Sequence, residues 1–282
     1  IRRPPRSTLL PYTTLFRSLT NNNILGNSAS DVTEGSSEQD GGGVYLSATT
    51  ATLTNNEISG NIASCYGSNF YQTECFGGGI FLSVTTATLN NNDISSNTVS
   101  AFFAYGGGVF LKATTATLTN NEISGNISSG KSHGGGVYLA VRTATLTNND
   151  ITGNTALFSG GGLLVVLQGS ELQSSVALYN NLFWLNHLNY ATTSGADFYI
   201  NNTTASQVTL LSNNFDWTPS TGFWVGTPVY IDPSNLNKID PLFIDASIGD
   251  FHLQPGSPMI DAGYSNTPNL PATDLDGRPR VL

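Results

Sequence analysis

The sequence predicts an all-β protein, a right-handed parallel β-helix of about seven coils followed by a C-terminal capping segment. Three observations support this fold class: a repeat with a period of 28 to 36 residues, sparse charge combined with a 39% hydrophobic fraction, and a long central region without proline. Strands as short as those of this repeat cannot bury an apolar face alone. We therefore expect successive repeats to stack and share one core.

Two sequence signatures alternate through the central region and define the repeat. One is L-T-N-N-x-I-x-G-N, found at residues 19–27, 53–61, 118–126 and 146–154, with variants at 89–97 and 178–186. The other is three glycines followed by an apolar residue, an aromatic residue and leucine, found at residues 41–46, 77–82, 106–111 and 134–139. The alternation of apolar and polar residues between them predicts three short strands in each coil.

This alternation also predicts which side chains face the core. In one coil we expect an inward set of Val44, Leu46, Ala51 and Leu53, and an outward set of Tyr45, Thr50, Thr52 and Thr54.

Asparagine recurs at fixed positions of the repeat. Stacked coils place equivalent residues ~4.8 Å apart, so buried amides in register hydrogen-bond to one another. We expect two such ladders, one of Asn55, Asn91, Asn120 and Asn148 and one of Asn61, Asn97, Asn126 and Asn154. This structural explanation assigns no catalytic role to the asparagines.

Composition divides the chain into three segments. Residues 1–18 resemble a translated short-read sequencing adapter, which they match from Arg2 to Ser18 except at Leu10, and we exclude them from the fold. Three of the twelve prolines lie in that segment and nine lie at or after Pro219. Because proline removes a donor from a β-ladder, we expect a continuous β-helix at residues 19–218 and a Pro-rich, truncated cap and pre-anchor segment at residues 219–282.

The charge balance limits the partners of the protein. The chain has 10 Lys and Arg against 19 Asp and Glu, a formal net charge of −9, and four of the basic residues lie in residues 1–18. Nucleic acid and anionic membrane repel such a chain, so we expect neither as a partner. No apolar run approaches the ~20 residues of a membrane helix, so we expect no membrane insertion. We expect an extracellular or cell-surface monomer.

Cys65 and Cys75, the two cysteines of the chain, lie in a single loop. A disulfide that closes this loop would indicate an oxidising compartment. Two isolated thiols are the alternative, and two cysteines alone cannot form a structural zinc site.

The I/F-x-x-N and G-G-φ signatures resemble the right-handed parallel β-helix repeats of the pectate-lyase-like superfamily, and most closely those of polymorphic outer-membrane proteins. Residues 239–263 (IDPLFIDASIGDFHLQPGSPMIDAG) and 273–280 (TDLDGRPR) resemble the tail of choice-of-anchor Q surface proteins, in which an anchoring signal usually follows. The resemblance covers nearly all of residues 19–282 and implies a secreted or surface-displayed β-helix. In that superfamily the outer face of the first strand, flanked by loops, forms a substrate groove.

The strongest candidate site is this outer face of the first strand. Equivalent positions hold Tyr45, Phe81, Phe110 and Tyr138, with Lys112 pointing the same way and Arg142 one coil later. The loop aromatics beside them are Tyr66, Phe70, Tyr71, Phe76, Phe102, Phe103 and Tyr105. Sugar rings stack on aromatic faces, so we expect a polysaccharide or cell-surface glycan to bind here. The alternative is that the loops fold down and bury the aromatic column as a satellite core.

Two further columns are weaker candidates. The acidic one comprises Glu57, Asp93, Glu122 and Asp150. Like charges ~4.8 Å apart repel by only about 1 kcal/mol in water, so exposed, splayed side chains need no metal, and bound Ca²⁺ is the alternative. Asp274 and Asp276 give a similar weak hint of calcium. The column of Thr52, Thr88, Thr117 and Thr145 resembles the T-x-T arrays of ice-binding solenoids, although irregular coil lengths argue against a flat array.

For catalysis the sequence evidence is negative. Polysaccharide hydrolases with the β-helix fold that this sequence resembles carry the sequence motifs N-T-D, D-D, G-H-G and R-I-K. None of these motifs occurs here. His133, His187 and His252 are scattered, and we expect His133 to be solvated. We therefore expect a non-enzymatic scaffold for adhesion or glycan binding, with no catalytic residue, metal or cofactor. A polysaccharide lyase is the alternative, and an ice-binding solenoid is a minor one.

Overall fold

The computed structural model describes residues 16–31, 38–66, 73–168, 174–190, 195–201, 207–218, 221–226, 229–268 and 270–280. Within these ranges the regular structure is β except for a 3-10 helix, η1 (Ala246–Ile248). In the same ranges, no helix has the length and apolar character needed to cross a membrane. The all-β prediction is confirmed.

Parallel strands stack into three sheets that together form a solenoid. The first sheet contains β1 (Phe16–Thr20), β5 (Val44–Ser47), β6 (Thr50–Thr54), β10 (Ile80–Ser83), β11 (Thr86–Asn90), β14 (Val109–Thr119), β17 (Val137–Thr147), β20 (Leu163–Leu167), β21 (Ser175–Tyr179), β24 (Phe198–Asn201), β25 (Gln207–Leu211) and β27 (Phe223–Val225). The second contains β2 (Asn23–Leu25), β7 (Glu57–Ser59), β12 (Asp93–Ser95), β15 (Glu122–Ser124), β18 (Asp150–Thr152), β22 (Leu182–Trp184), β26 (Asn214–Phe215) and β28 (Leu236–Asn237). The third contains β3 (Ser28–Asp31), β4 (Glu38–Asp40), β8 (Ile62–Cys65), β9 (Glu74–Phe76), β13 (Thr98–Tyr105), β16 (Ile127–His133), β19 (Thr155–Ala156) and β23 (His187–Leu188).

The solenoid has about five turns, fewer than the seven predicted, and incomplete coils extend it at its C-terminal end. There, β27 pairs with β24 and β28 pairs with β26, so parallel pairing continues to Asn237, past the predicted boundary at residue 218. At the other end, β1 begins at Phe16, inside the segment that we excluded. Arg17 takes the position that the next coil fills with the buried Ala51, so this strand departs from the repeat.

A single apolar core runs along the solenoid. Val44, Ala51 and Leu53 are buried as predicted, and the three threonines around them face outward and are half-buried. One inward column consists of leucines in register, with no exposed surface: Leu53, Leu89, Leu118, Leu146 and Leu178. Each such side chain contributes about 2 kcal/mol through burial, so the stacked coils supply the core that one coil lacks.

Two ladders of buried asparagines line the turns on either side of the second sheet. The ladder of Asn61, Asn97, Asn126 and Asn154 is confirmed: each Oδ1 accepts the backbone N–H and the Nδ2 of the preceding rung at 2.9–3.0 Å. The other ladder lies one residue later than predicted, at Asn56, Asn92, Asn121 and Asn149. The predicted residues, Asn55, Asn91, Asn120 and Asn148, instead adopt left-handed backbone angles, with φ of 54–58°. Asparagine tolerates this conformation, so the first Asn makes the turn and the second points inward.

The glycine triplet forms the corner between the third and first sheets. Its first glycine has left-handed backbone, with φ of +66° at Gly77. Its third packs against the asparagine ladder, because a Cβ added to Gly79 would lie 2.8 Å from Cγ of Asn97. A side chain at either position would strain or displace the corner, which explains the recurrence of the triplet.

The described residues 239–268 and 270–280 form a segment that we call the strap. It contains the antiparallel pair β29 (Phe243–Asp245) and β30 (Asp250–Leu253). The strap contacts four different coils, since Ile239 bonds to Asn214, Tyr264 to Asn180, Pro268 to Thr147 and Arg280 to Asn120. The segment predicted to cover the open end therefore runs back along the side of the solenoid.

Candidate functional site

The aromatic ladder (Tyr45, Phe81, Phe110 and Tyr138) is in register on the first sheet. Neighbouring ring centroids lie 5.1, 5.3 and 5.1 Å apart, with planes close to parallel. The same column continues through Leu164 to Tyr199 and Trp224, which stack at 4.4 Å. These last two rings follow no glycine triplet, so the sequence signature missed them.

The middle of the aromatic ladder is buried, which corrects the expectation of an exposed aromatic surface. Tyr45 is 55% exposed, whereas Phe81 and Phe110 are only 8% and 7% exposed. Phe76 covers both, with ring centroids 6.3 Å from Phe81 and 4.7 Å from Phe110. Of the predicted ladder, Tyr45 alone presents most of its ring to solvent.

A second column of rings covers the ladder from the ends of the third-sheet strands. It consists of Phe76, Tyr105, His133 and Phe158, stacked at 5.3, 5.9 and 5.8 Å. Each of these residues lies one or two positions before a run of glycines. The corner that the glycines form turns the outer face of the third sheet toward the outer face of the first, and the rings of the two columns meet there. The two columns therefore pack together as a satellite core, the alternative that the sequence left open.

The polar atoms of this satellite core stay uncharged. Burial raises the pKa of Tyr138 to about 12 and also raises that of Tyr105. The expectation of a solvated His133 is wrong, because the ring is half-buried between Tyr105 and Phe158 and its Nδ1 lies 2.7 Å from Oγ of Ser159. Burial lowers the pKa of His133, which favours the neutral imidazole.

The two predicted basic residues do not form one column. Lys112 is exposed and pairs in register with Ala140, which places Arg142 two residues further along its strand. Arg142 is half-buried, beside the threonine columns.

An open groove lies beside the covered ladder, on the third sheet, with a volume of about 500 Å³. Its lining residues come from five consecutive coils, so we call it the axial groove: Cys65, Tyr66, Thr73, Ala101, Phe102, Ile127, Ser128, Ser129, Gly130, Lys131, Leu157 and Asn189. Two loop aromatics that we expected near the ladder, Tyr66 and Phe102, thus lie here. Phe70 and Tyr71 lie outside the described residues.

The axial groove combines apolar rings with polar groups. The Lys131 ammonium lies 4.4 Å from the ring centre of Phe102, a cation–π contact. Tyr66 is 53% exposed, and its hydroxyl lies 3.1 Å from Oγ of Ser100. The register of β13 shifts next to Phe102, and such a bulge re-aims a side chain out of its ladder. Sequence alternation did not predict this shift.

A disulfide lies at one end of the axial groove. Cys65 and Cys75 are bonded, with 5.8 Å between their Cα atoms, which confirms the disulfide over two isolated thiols. The bond joins β8 to β9 within a small buried cluster that includes Val99 and Ala104. Closing a loop of this size stabilises a fold by about 3 kcal/mol and holds the wall of the groove in place.

The acidic ladder (Glu57, Asp93, Glu122 and Asp150) is in register on the second sheet. The expectation of exposed side chains is wrong, because all four are half-buried. Burial raises the pKa of Asp93. It also raises the pKa of Glu122 to about 8 and the pKa of Asp150 to about 6. At Glu122 the neighbouring carboxylates of Asp93 and Asp150 raise the pKa further. The strap brings Arg280 close to Asp150, where its charge opposes the effect of burial.

Asp274 and Asp276, which the sequence indicated as weak candidates for binding calcium, already have partners within the protein. Asp276 Oδ2 lies 2.8 Å from Nε2 of His252 and 3.1 Å from a guanidinium nitrogen of Arg278. Asp274 Oδ1 accepts the backbone N–H of Arg278. Across the described part of the chain, no group of three or more His, Cys, Asp or Glu is placed to hold a metal ion.

The threonine column is in register across four coils: Thr52, Thr88, Thr117 and Thr145. The unequal coil lengths are therefore taken up in the loops and do not disturb this array. Irregular coil length is thus no argument against a flat threonine surface.

Comparisons with models of known families, with curated proteins and with solved structures found no match to this chain. The site is therefore interpreted from its own geometry.

Proposed function

We propose that the protein is a non-enzymatic, secreted or surface-displayed scaffold that binds a linear polysaccharide along the axial groove. The observation that carries this proposal is the course of the groove across five coils, with Tyr66 and Phe102 along its length. The proposal moves the binding surface from the buried aromatic ladder to the groove next to it.

The dimensions of the groove suit an extended ligand. Four steps between coils, each ~4.8 Å, give a length of about 19 Å, enough for several consecutive sugar rings. Rigid parallel strands hold the lining residues at this regular spacing, so a polymer with its own repeat loses little of the binding energy to rearrangement of the protein.

The chemistry of the groove suits sugars. Aromatic rings such as Tyr66 offer flat apolar faces to the C–H side of a sugar. Exposed Ser129, Lys131 and Asn189 supply donors and acceptors for its hydroxyls. A groove with apolar walls and a few directed polar groups is typical of binding sites for organic ligands.

Affinity electrophoresis through gels that contain a panel of polysaccharides tests the proposal. We expect at least one polymer to retard the protein and the Tyr66→Ala/Phe102→Ala variant to bind about a hundredfold more weakly, since each stacked ring contributes about 1.4 kcal/mol. Tyr230→Ala is the matched control, because this tyrosine is 75% exposed and lies outside the groove. It should run like the wild type.

Two results would overturn the proposal. One is the absence of retardation in every gel by protein whose circular dichroism shows folded β-structure. The other is equal retardation of the wild type and the Tyr66→Ala/Phe102→Ala variant.

A further inference from the structure

A second concave site lies between the strap and the solenoid. Its volume is about 780 Å³, within the roughly 300–1,000 Å³ of typical small-molecule sites. It lies against the second sheet, whereas the axial groove lies on the third. We call it the strap cavity and define it by Asn148, Asp150, Leu182, Phe251, Tyr264 and Arg280.

The strap is clamped on both sides of this cavity. Asn120, Asn148 and Asn180 occupy the same left-handed turn position in three consecutive coils, with φ of 58°, 54° and 54°. Arg280 bonds to the side chain of Asn120. The side chain of Asn180 donates to the carbonyl of Tyr264 at 3.0 Å and accepts its N–H at 2.8 Å.

Asn148 lies between these two clamps, beneath the strap, and the strap leaves its amide unused. Its Nδ2 is buried and has no hydrogen-bond partner among the described residues. A buried amide N–H without a partner costs about 1–3 kcal/mol. The equivalent amides on either side have partners, because Nδ2 of Asn120 donates to Oδ1 of Asn91 at 2.7 Å and Nδ2 of Asn180 donates to the strap. Asn148 lines the cavity, so its amide is left to bond whatever fills it.

We propose that the strap cavity binds a neutral sugar unit through Asn148, Asp150 and Arg280. Sugar hydroxyls both donate and accept, which matches an amide donor, a carboxylate acceptor and a guanidinium donor. Phe251 and Leu182 supply apolar walls for the C–H face of the ring. The lining holds the carboxylates of Asp150 and Asp261 against the one guanidinium of Arg280, so the cavity repels an anionic ligand, and a neutral sugar suits its mixed donors and acceptors.

The proposal is independent of the function proposed for the axial groove. The two sites share no lining residue, so variants of one leave the other intact.

Saturation-transfer NMR with neutral sugars tests the strap cavity. The probes are glucose, galactose, mannose, N-acetylglucosamine, maltose and cellobiose. We expect at least one to bind the full chain and Asn148→Gly to raise its Kd at least tenfold. Asn55→Gly is the matched control, because Asn55 has the same φ of 54° in a coil outside the cavity. It should change the Kd less than twofold, as should Tyr66→Ala/Phe102→Ala.

Glycine fits the left-handed angle at both positions, so the two variants differ in the lost amide and not in backbone strain. Absence of transfer from all six sugars to folded protein would mean that water alone satisfies Asn148 and would overturn the proposal. Binding that survives Asn148→Gly but is lost in Tyr66→Ala/Phe102→Ala would also overturn it, and would place the sugar in the axial groove.

Discussion

Replacing Asn121 by alanine is expected to destabilise the solenoid by about 4 kcal/mol or more, a large fraction of the stability of a typical domain. The side chain of Asn121 makes four hydrogen bonds inside the protein. Its Oδ1 accepts the N–H and the Nδ2 of Asn92 at 3.0 and 2.9 Å. Its Nδ2 donates to the carbonyl of Leu89 at 3.0 Å and to Oδ1 of Asn149 at 2.9 Å.

Alanine at this position leaves two buried donors of Asn92 and the buried carbonyl of Leu89 without these partners. Each such group costs about 1–3 kcal/mol, and the neighbouring coils are too tightly stacked for solvent to replace the amide. Urea unfolding followed by circular dichroism measures the effect. Asn55→Gly is the control, at the first asparagine of the N-N pair two coils before Asn121. The stability of this variant should stay within about 0.5 kcal/mol of the wild type because glycine suits its left-handed backbone. A loss below about 1 kcal/mol for Asn121→Ala would contradict the ladder as a source of stability.

The two adjacent asparagines of the L-T-N-N signature show how much of the fold the sequence predicts. The L-T-N-N signature located the turn and one of its two ladders was assigned correctly, because hydrophobic alternation fixes which strand residues point inward. Within the N-N pair, however, both residues are equally able to turn the chain or to enter a ladder. The choice depends on backbone angles that pairing with the next coil imposes, so Asn55 was assigned the role of Asn56.

The aromatic ladder was located correctly but its exposure was not. Strand alternation places Phe81 and Phe110 on the outer face, and the structure has them there. Exposure depends on what lies opposite, and the glycine corner brings Phe76 onto them. A signal was available, since aromatic residues recur just before the glycine runs, but its meaning requires the angle between two sheets.

The path of the strap was not predictable from sequence pattern. Arg280 and Asn120 are 160 residues apart, and Tyr264 and Asn180 are 84 apart. Docking of this kind depends on the complementarity of two surfaces and has no local signature. The strap cavity follows from that docking, so it was not expected.

Stability is expected to fall as pH rises from about 4.5 to about 8, chiefly because of Glu122. Its pKa in the folded protein is raised to about 8, first by burial and then by Asp93 and Asp150, from the ordinary value of 4.5 that a glutamate has in an unfolded chain. The folded protein therefore holds a proton that the unfolded chain releases. This contribution is fully present below pH 4.5 and is lost as pH rises through the folded pKa. The raised pKa of His252, which hydrogen-bonds to Asp250 and Asp276, acts in the same direction.

Glu122→Gln is expected to stabilise the protein by on the order of 3 kcal/mol at pH 8.5 and to change little at pH 4.5, because glutamine keeps the shape without a charge to bury. Urea unfolding at intervals from pH 4 to pH 9 measures both profiles. Asp93 and Asp150 keep their raised pKa values, so a weaker dependence on pH should remain in the variant. Glu57→Gln is the matched control, because this residue occupies the same ladder two coils from Glu122 and bonds to Asn23 at 2.8 Å. Its profile should follow that of the wild type. Parallel profiles for Glu122→Gln and the wild type would mean that Glu122 is ionised at neutral pH in the folded protein, and that water reaches its carboxylate.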